Sequence, residues 1–521
     1  MTSAAHHFVA LPELVRATID QIRDRNQLGT LRLVNRTFNE AVKRVLFREI
    51  QVNRKGLTQL RREQAVFPHI RKLDFEGCLF SEDGRDNKRL RMLLRRMPML
   101  ETFICRSHIE PRSISTLSRH TRVRSVSFNF ASMDTAIFGF EDTEWANATA
   151  WARQRYYVPD FSGFYGRLEE LTLDNLYGDL IQWRTLLVQL FQNSPRMRKL
   201  SLSLCPDAIL RHSLRGRGSQ YQDWFSRLCQ EYGETGAAPL PLRSLHCGNF
   251  VEPENGSLLR QLIDPAHLEQ VFLADRWDAA YEVFANAPRL RRLVVPKYSQ
   301  ALHMAFATME DPSRARNMAI WTDPNHNVTD HKTTSLLMPD ERYPKLPLRL
   351  RALQVDVEHV INRKLSKWKE DPDVFQLDID NVLDPLVTGD DGAIESLMLC
   401  FPWIPLGDHL LNGYLELFGR TLSRLTNLTV LYVYVHNNEN LNCNRTFKDI
   451  AERLAVSIPR LCYIHVTGMT TFWNDWRPWK VTRDGDGEVQ LQFVSDEREA
   501  EELEMYNLAS HCFKRPPSGA F

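Results

Sequence analysis

The sequence predicts an α/β fold: a solenoid of short parallel strands lined on one side by helices, entered through a separate three-helix module. Three observations predict it. A six-residue phrase recurs twelve times, helical periodicity fills much of the chain between its copies, and the first fifty residues carry three short helical stripes.

The phrase reads apolar, two variable residues, apolar, one variable, apolar. Its copies begin at Ile70, Leu100, Val123, Leu168, Met197, Leu242, Leu268, Leu290, Leu350, Ile394, Leu428 and Leu461. Alternation over its last three residues marks a strand whose two faces differ. Five copies have proline two places before the first apolar residue, at Pro68, Pro98, Pro195, Pro288 and Pro459. Proline keeps the residue before it out of the helical conformation, so it ends a helix and hands the chain to an extended segment. Helical stripes such as Leu186, Leu187, Leu190 and Phe191, or Leu422, Leu425 and Leu428, lie between copies. One such unit cannot bury its apolar face alone, so the units must stack, with strands along one side and helices along the other.

The phrase L-x-x-L-x-L, carried by these residues, resembles the leucine-rich repeat family. That resemblance implies a curved array with parallel strands on the concave side and helices on the convex side. Two departures stand out: starts are spaced from 22 residues (268 to 290) to 60 (290 to 350), and the Asn or Cys that usually follows the phrase is mostly absent. An ordinary α/β domain with a buried parallel sheet is the competing architecture.

Residues 11 to 50 have their own pattern. Leu14, Val15, Thr18, Ile19 and Ile22 form one stripe, with Pro12 suited to a first helical turn; Leu28, Leu31, Val34 and Phe38 form a second; Ala41, Val42, Val45 and Leu46 form a third. Three small helices bury too little surface to be stable unaided, and they leave apolar surface over for a partner. The segment resembles an F-box, through Leu11-Pro12, Ile19, Leu28, Leu31, Leu33-Val34, Arg36-x-Phe38 and Leu46-Phe47-Arg48. It departs at Ile22-Arg-Asp-Arg-Asn, where that family generally has an apolar residue followed by proline. The resemblance implies docking on a Skp-type adaptor, which links the module to cullin and RING subunits of an SCF ubiquitin ligase. By the same resemblance Leu11, Pro12, Leu14, Ile19, Ile22, Leu28, Leu31, Val34 and Phe38 face the adaptor or form the module's core. A cap over the open end of the array is the alternative role for these helices.

Between the apolar positions of each strand lie residues expected on the concave face. Early copies offer Lys72, Asp74, Ser125, Ser127, Glu170, Thr172, Lys199 and Ser201 there, and later ones Phe272, Val294, Met398, Tyr432, Tyr434, Tyr463 and His465. Exposed rings on a rigid face are good anchors for a protein ligand. The expected target site is therefore in the C-terminal half, at Phe272, Met398, Tyr432, Tyr434, Tyr463 and His465. The competing expectation is that a loop or the terminal segment covers these rings. Insertions are expected over 131–166, 206–240, 296–346 and 357–392; the second carries Arg211, His212, Arg215 and Arg217. Near the end, Trp473, Trp476 and Trp479 precede Asp484-Gly485-Asp486-Gly487, a turn signal between two extended runs.

Composition narrows the function. With 43% hydrophobic residues, 25% charged residues and a mean hydropathy of -0.37, the 521-residue chain can fill a core. A formal charge of +1 argues against a general nucleic-acid or membrane-surface binder, although residues 1–100 hold 20 Lys and Arg against 11 Asp and Glu. Nine scattered cysteines without a Cys-x-x-Cys pair, no basic-then-apolar leader and no long apolar run point to reduced thiols in the cytosol or nucleus.

No phosphate-binding loop, dinucleotide fingerprint, zinc-protease or serine-hydrolase motif is present. Phe375-Gln-Leu-Asp378-Ile-Asp380 resembles the first motif of haloacid-dehalogenase-type phosphatases, yet Asp390 and Asp391 follow too soon to leave room for that family's core. His303, His326 and His331 lack metal-like spacing. The expectation is a non-catalytic protein without cofactors. Residues 1–52 are the adaptor-binding helices, 53–480 the repeat array and 481–521 a terminal cap. A ligase-independent scaffold or inhibitor is the alternative.

Overall fold

The computed structural model describes residues 12–22, 25–75, 85–106, 109, 111–130, 159–176, 179–204, 223–248, 256–273, 277–295, 305, 319–322, 352–356, 395–402, 415–416, 419–436, 443–468, 478–485 and 487–494. The chain divides into two compact units, Met1–Leu268 and Glu269–Phe521, and each is built from parallel strands and helices. The class is α/β, as the phrase predicts.

The first unit opens with α1 (Pro12–Ile19), α2 (Arg25–Leu31) and α3 (Arg36–Leu46). Val15, Ile19, Leu28, Ala41 and Val42 close a small core between them, with Ile22, Leu31, Phe38, Val45 and Leu46 packed on its rim. The expected second stripe is broken. The chain turns over 32–34, and the side chain of Asn35 accepts a hydrogen bond from the Phe38 N–H at 3.0 Å. An Asn oxygen at that position satisfies an N–H that the first turn cannot pair, so a new helix starts there. Phe38 therefore belongs to α3 and Val34 to the turn before it.

Strands and helices then alternate: β1 (Glu49–Val52), α4 (Arg54–Leu60), a 3-10 turn (Gln64–His69), β2 (Lys72–Phe75), α5 (Arg85–Leu94), β3 (Thr102–Cys105), α6 (Pro111–Leu117) and β4 (Ser125–Asn129). After a 3-10 turn (Ser162–Phe164) follow β5 (Glu170–Leu176), α7 (Leu180–Gln192), β6 (Lys199–Leu204), α8 (Trp224–Glu234), β7 (Ser244–Gly248) and α9 (Gly256–Leu262). From β1 to β7 each strand pairs in parallel with the next in the chain.

The phrase explains this register. Its three apolar positions form three buried rows across β2 to β7: Ile70 to Leu242, Leu73 to Leu245 and Phe75 to Cys247. Each such side chain contributes about 1.5–3 kcal/mol of burial. Strand entry repeats as well. The Arg71 carbonyl accepts from Glu101 N–H and Thr102 N–H at 2.7 and 2.9 Å, and the Glu101, Arg124, Glu169 and Arg198 carbonyls each accept from two successive N–H groups in the same way. Helix α7 buries Leu180, Trp183, Leu187, Leu190 and Phe191, and Asp179 caps it by accepting from the Ile181 and Gln182 N–H groups. Helix α8 lies inside the expected insertion 206–240 yet belongs to the core. It buries Trp224, Phe225, Leu228, Cys229 and Tyr232, and the Trp224 indole donates to the Leu180 carbonyl at 2.7 Å.

The second unit contains β8 (Gln270–Leu273), α10 (Tyr281–Ala285), β9 (Arg292–Val295), β10 (Ala319–Thr322), β11 (Ala352–Asp356), β12 (Ser396–Pro402), β13 (Val430–His436), α11 (Cys443–Ser457) and β14 (Tyr463–Gly468). Strands β8 to β14 are parallel neighbours in chain order. Strand β10 lies within the expected insertion 296–346, and it explains the 60-residue gap between two copies of the phrase. The unit ends in an antiparallel hairpin, β15 (Trp479–Arg483) and β16 (Val489–Phe493), with β15 paired antiparallel to β14. Its turn is the predicted one. Glu488 N–H donates to the Asp484 carboxylate at 2.8 Å, and Gly487 takes a φ of 84°, where a side chain would be strained.

Candidate functional site

Burial sorts the amino-terminal residues into two groups. Ile19 and Leu28 are core residues, while Ile22, Leu31 and Phe38 line the rim. Leu14 and Val34 stand in solvent, 47% and 58% exposed, and Leu33 between the helices is 86% exposed. Leu11 lies outside the described residues, and Pro12 begins α1. Of the nine expected positions, Leu14 and Val34 thus offer an open apolar surface. Leu33 was missed as a site residue; its signal was adjacency to Val34 immediately before a helix-capping Asn.

The corner that carries Leu33 and Val34 is well held. Leu33 N–H donates to the Thr30 carbonyl at 3.0 Å and Val34 N–H to the Leu31 carbonyl at 3.2 Å. The Arg32 guanidinium lies over the Phe47 ring at 5.6 Å and donates to the Asn39 side chain at 3.3 Å. Exposed apolar side chains on a fixed backbone lose little entropy on docking, whereas a mobile loop would have to be ordered first. On α3, Lys43 binds Glu40 at 2.8 Å and holds that carboxyl below its usual range. Helix α3 also packs on the turn at Gln64–His69, where burial pushes the His69 imidazole toward its neutral form.

The expected target-binding residues fall in the second unit, Phe272 on β8 and the other five on the adjacent strands β12, β13 and β14. Register places Met398 beside Tyr432 and Tyr432 beside His465, with Tyr434 one pleat further along β13. Tyr432 and His465 depart from expectation: both are buried, 4% exposed each. Adjacent parallel strands bring the two rings edge to face, 5.8 Å apart at 86°, and the contact takes part of each out of solvent. Val294 is buried too. Tyr463 stays half-buried beneath the Lys480 ammonium at 5.9 Å, and Phe272 is likewise half-buried. The side chains of Met398 and Tyr434 lie outside the described residues.

The equivalent face of the first unit is polar and internally paired. Lys72 meets Glu49 at 3.1 Å, Arg106 grips Asp74 through two bonds of 3.1 and 2.8 Å, and the Ser125 hydroxyl donates to Glu170 at 2.7 Å. Ser201 is buried rather than exposed. The Arg211–Arg217 cluster, Asp378, Asp380, Asp390, Asp391, Trp473, Trp476 and the three histidines 303, 326 and 331 lie outside the described residues. Among the described residues no helix is long and apolar enough to cross a membrane, and no group of three His, Cys, Asp or Glu side chains is placed to hold a metal ion.

No protein-family model and no curated protein matches the chain. The site must be read from its own geometry.

Proposed function

We propose that this chain is the substrate-recognition subunit of an SCF-type ubiquitin ligase. Its amino-terminal helices act as an F-box-like module that docks a Skp-type adaptor, and its strands form a leucine-rich-repeat-like solenoid that holds a target protein. One observation carries the reading: Leu14 on α1, and Leu33 and Val34 on the turn between α2 and α3, remain in solvent on a module whose own core, Val15, Ile19, Leu28, Ala41 and Val42, is already closed. A cap evolved only to seal an array would turn such residues inward. Docking is then an addition of surface to a preformed core. On this reading catalysis is proximity alone: the solenoid raises the effective concentration of a target lysine near a ubiquitin-loaded enzyme that other subunits supply. Phe272 and Tyr463, half-buried on their strands, are the rings available to a target.

Co-expression with a Skp-type adaptor tests the reading. The wild-type chain is expected to co-purify with the adaptor, and the Leu14→Asp plus Val34→Asp variant to lose it while staying folded. A folded wild-type chain that never retains the adaptor removes the ligase assignment. The second reading, an array cap on a ligase-independent scaffold, is favoured by the packing of α3 on the Gln64–His69 turn, and that result would leave it standing.

A further inference from the structure

Parallel strands place every strand-entering segment of the first unit on one edge of its sheet. Six such segments, 61–71, 95–101, 118–124, 159–169, 193–198 and 235–243, lead into β2 to β7. Together they hold twelve arginines and no lysine against four acids, Glu63, Glu101, Asp160 and Glu169. That is an excess of eight positive charges. The whole unit, with 38 Lys and Arg against 29 Asp and Glu, has an excess of nine. Nearly all of its net charge is therefore on this edge.

Part of that charge is matched locally. Arg71 pairs with Glu101 at 3.2 Å and Arg124 with Glu169 at 3.1 Å. Arg95, Arg96, Arg119, Arg122, Arg196 and Arg198 are all exposed and have no ion pair among the described residues. Arg95 and Arg96 follow the end of α5, where the helix dipole favours cations. Arg122, Arg196 and Arg198 lie beyond the last turn of any helix and have no such reason.

Strand spacing sets the size of what would fit. Neighbouring strands are ~4.8 Å apart, so β2 to β7 span about 24 Å, which roughly seven residues of extended chain would cover. The guanidinium fork matches carboxylates in pairs, which an ammonium cannot do. Phe67, Phe161 and Phe164 on these segments are buried, and Tyr165 is half-buried, so the edge offers no open row of rings for stacking bases. We propose that this arginine edge binds an extended acidic polypeptide segment, a run of Asp and Glu side chains. The proposal stands independently of adaptor docking.

Fluorescence anisotropy of a labelled twelve-residue glutamate peptide with the full chain tests it. The peptide is expected to bind, with an affinity that falls as salt rises. The variant Arg95→Gln, Arg96→Gln, Arg196→Gln, Arg198→Gln is expected to bind at least tenfold more weakly at an unchanged melting temperature. Should that variant not fold, the two pairs are tested separately, each with a severalfold loss expected. Absence of binding by the folded wild type, equal affinity in the folded variants, or binding of a single-stranded oligonucleotide but not the peptide would each overturn the proposal. Adaptor capture by the same variants is expected to be unchanged, which separates this proposal's failure from that of the ligase reading.

Discussion

The side chain of Asn35 accepts the Phe38 N–H at 3.0 Å, and this bond ends the helical stripe that the apolar spacing alone would continue. It also fixes the corner on which Leu33 and Val34 stand. Asn35→Ala is expected to cost about 1 kcal/mol, the usual value of such a cap, and to weaken adaptor capture beyond that of a cap variant elsewhere in the unit. Asp179→Ala, which uncaps α7, is the control. Urea unfolding together with co-purification reads both.

Exposed and buried positions of the amino-terminal helices should separate cleanly. Leu14→Asp and Val34→Asp are expected to change stability by less than about 0.5 kcal/mol, whereas Leu28→Ala should cost about 2–5 kcal/mol through lost burial and a cavity. Thermal unfolding of the three single variants checks this. The opposite order would place the docking surface on the wrong side of the module.

Arg483 closes the carboxyl end of α11. Its guanidinium donates to the Leu461 carbonyl at 2.9 Å, the Ala455 carbonyl at 2.9 Å and the Ile458 carbonyl at 2.7 Å. Replacing it with Ala leaves those carbonyls short of a donor, and a loss of about 2–4 kcal/mol is expected in the second unit. Lysine, a point charge without the planar fork, should restore only part of it. Tryptophan fluorescence during unfolding reports the effect through Trp479, which packs on Phe493 in the adjoining hairpin.

Acid should loosen the first unit. Burial, and then the neighbouring Arg167 charge, push the His120 imidazole below its usual range, against a hydrogen bond to the Met97 backbone. Burial lowers His69 likewise. Between those lowered folded values and the unfolded value of about 6.5, the unfolded chain binds more protons, so stability falls as pH falls through that window. The melting temperature should therefore drop from about pH 7.5 to about pH 5.5, and His120→Gln should reduce the slope.

Much of this architecture is legible because the phrase is chemically redundant. All twelve copies became strands, with the described apolar residues at their fixed offsets sharing one buried side. What escaped was short or irregular. Strand β10 (Ala-Ile-Trp-Thr) lacks the leading apolar residue, and strand β1 (Glu-Ile-Gln-Val), although Phe47 leads it, follows directly on the third helical stripe; the pairing of both depends on neighbours far along the chain. Helix α8 was hidden in an apparent insertion because only packing against Leu180 shows that Trp224 is core. Burial of Tyr432 and His465 was equally invisible: alternation says which side a ring points to, not whether a neighbouring ring covers it. The arginine edge could have been found, since arginine often fills the second position of the phrase.

Hydrogen exchange of the full chain, with and without a Skp-type adaptor, tests the central claim most directly because it locates the contact. The account predicts new protection in residues 12–20 and 31–37, around Leu14, Leu33 and Val34, with the strand amides of the first unit unchanged. Protection confined to any other surface, or none anywhere in the presence of excess adaptor, would contradict it.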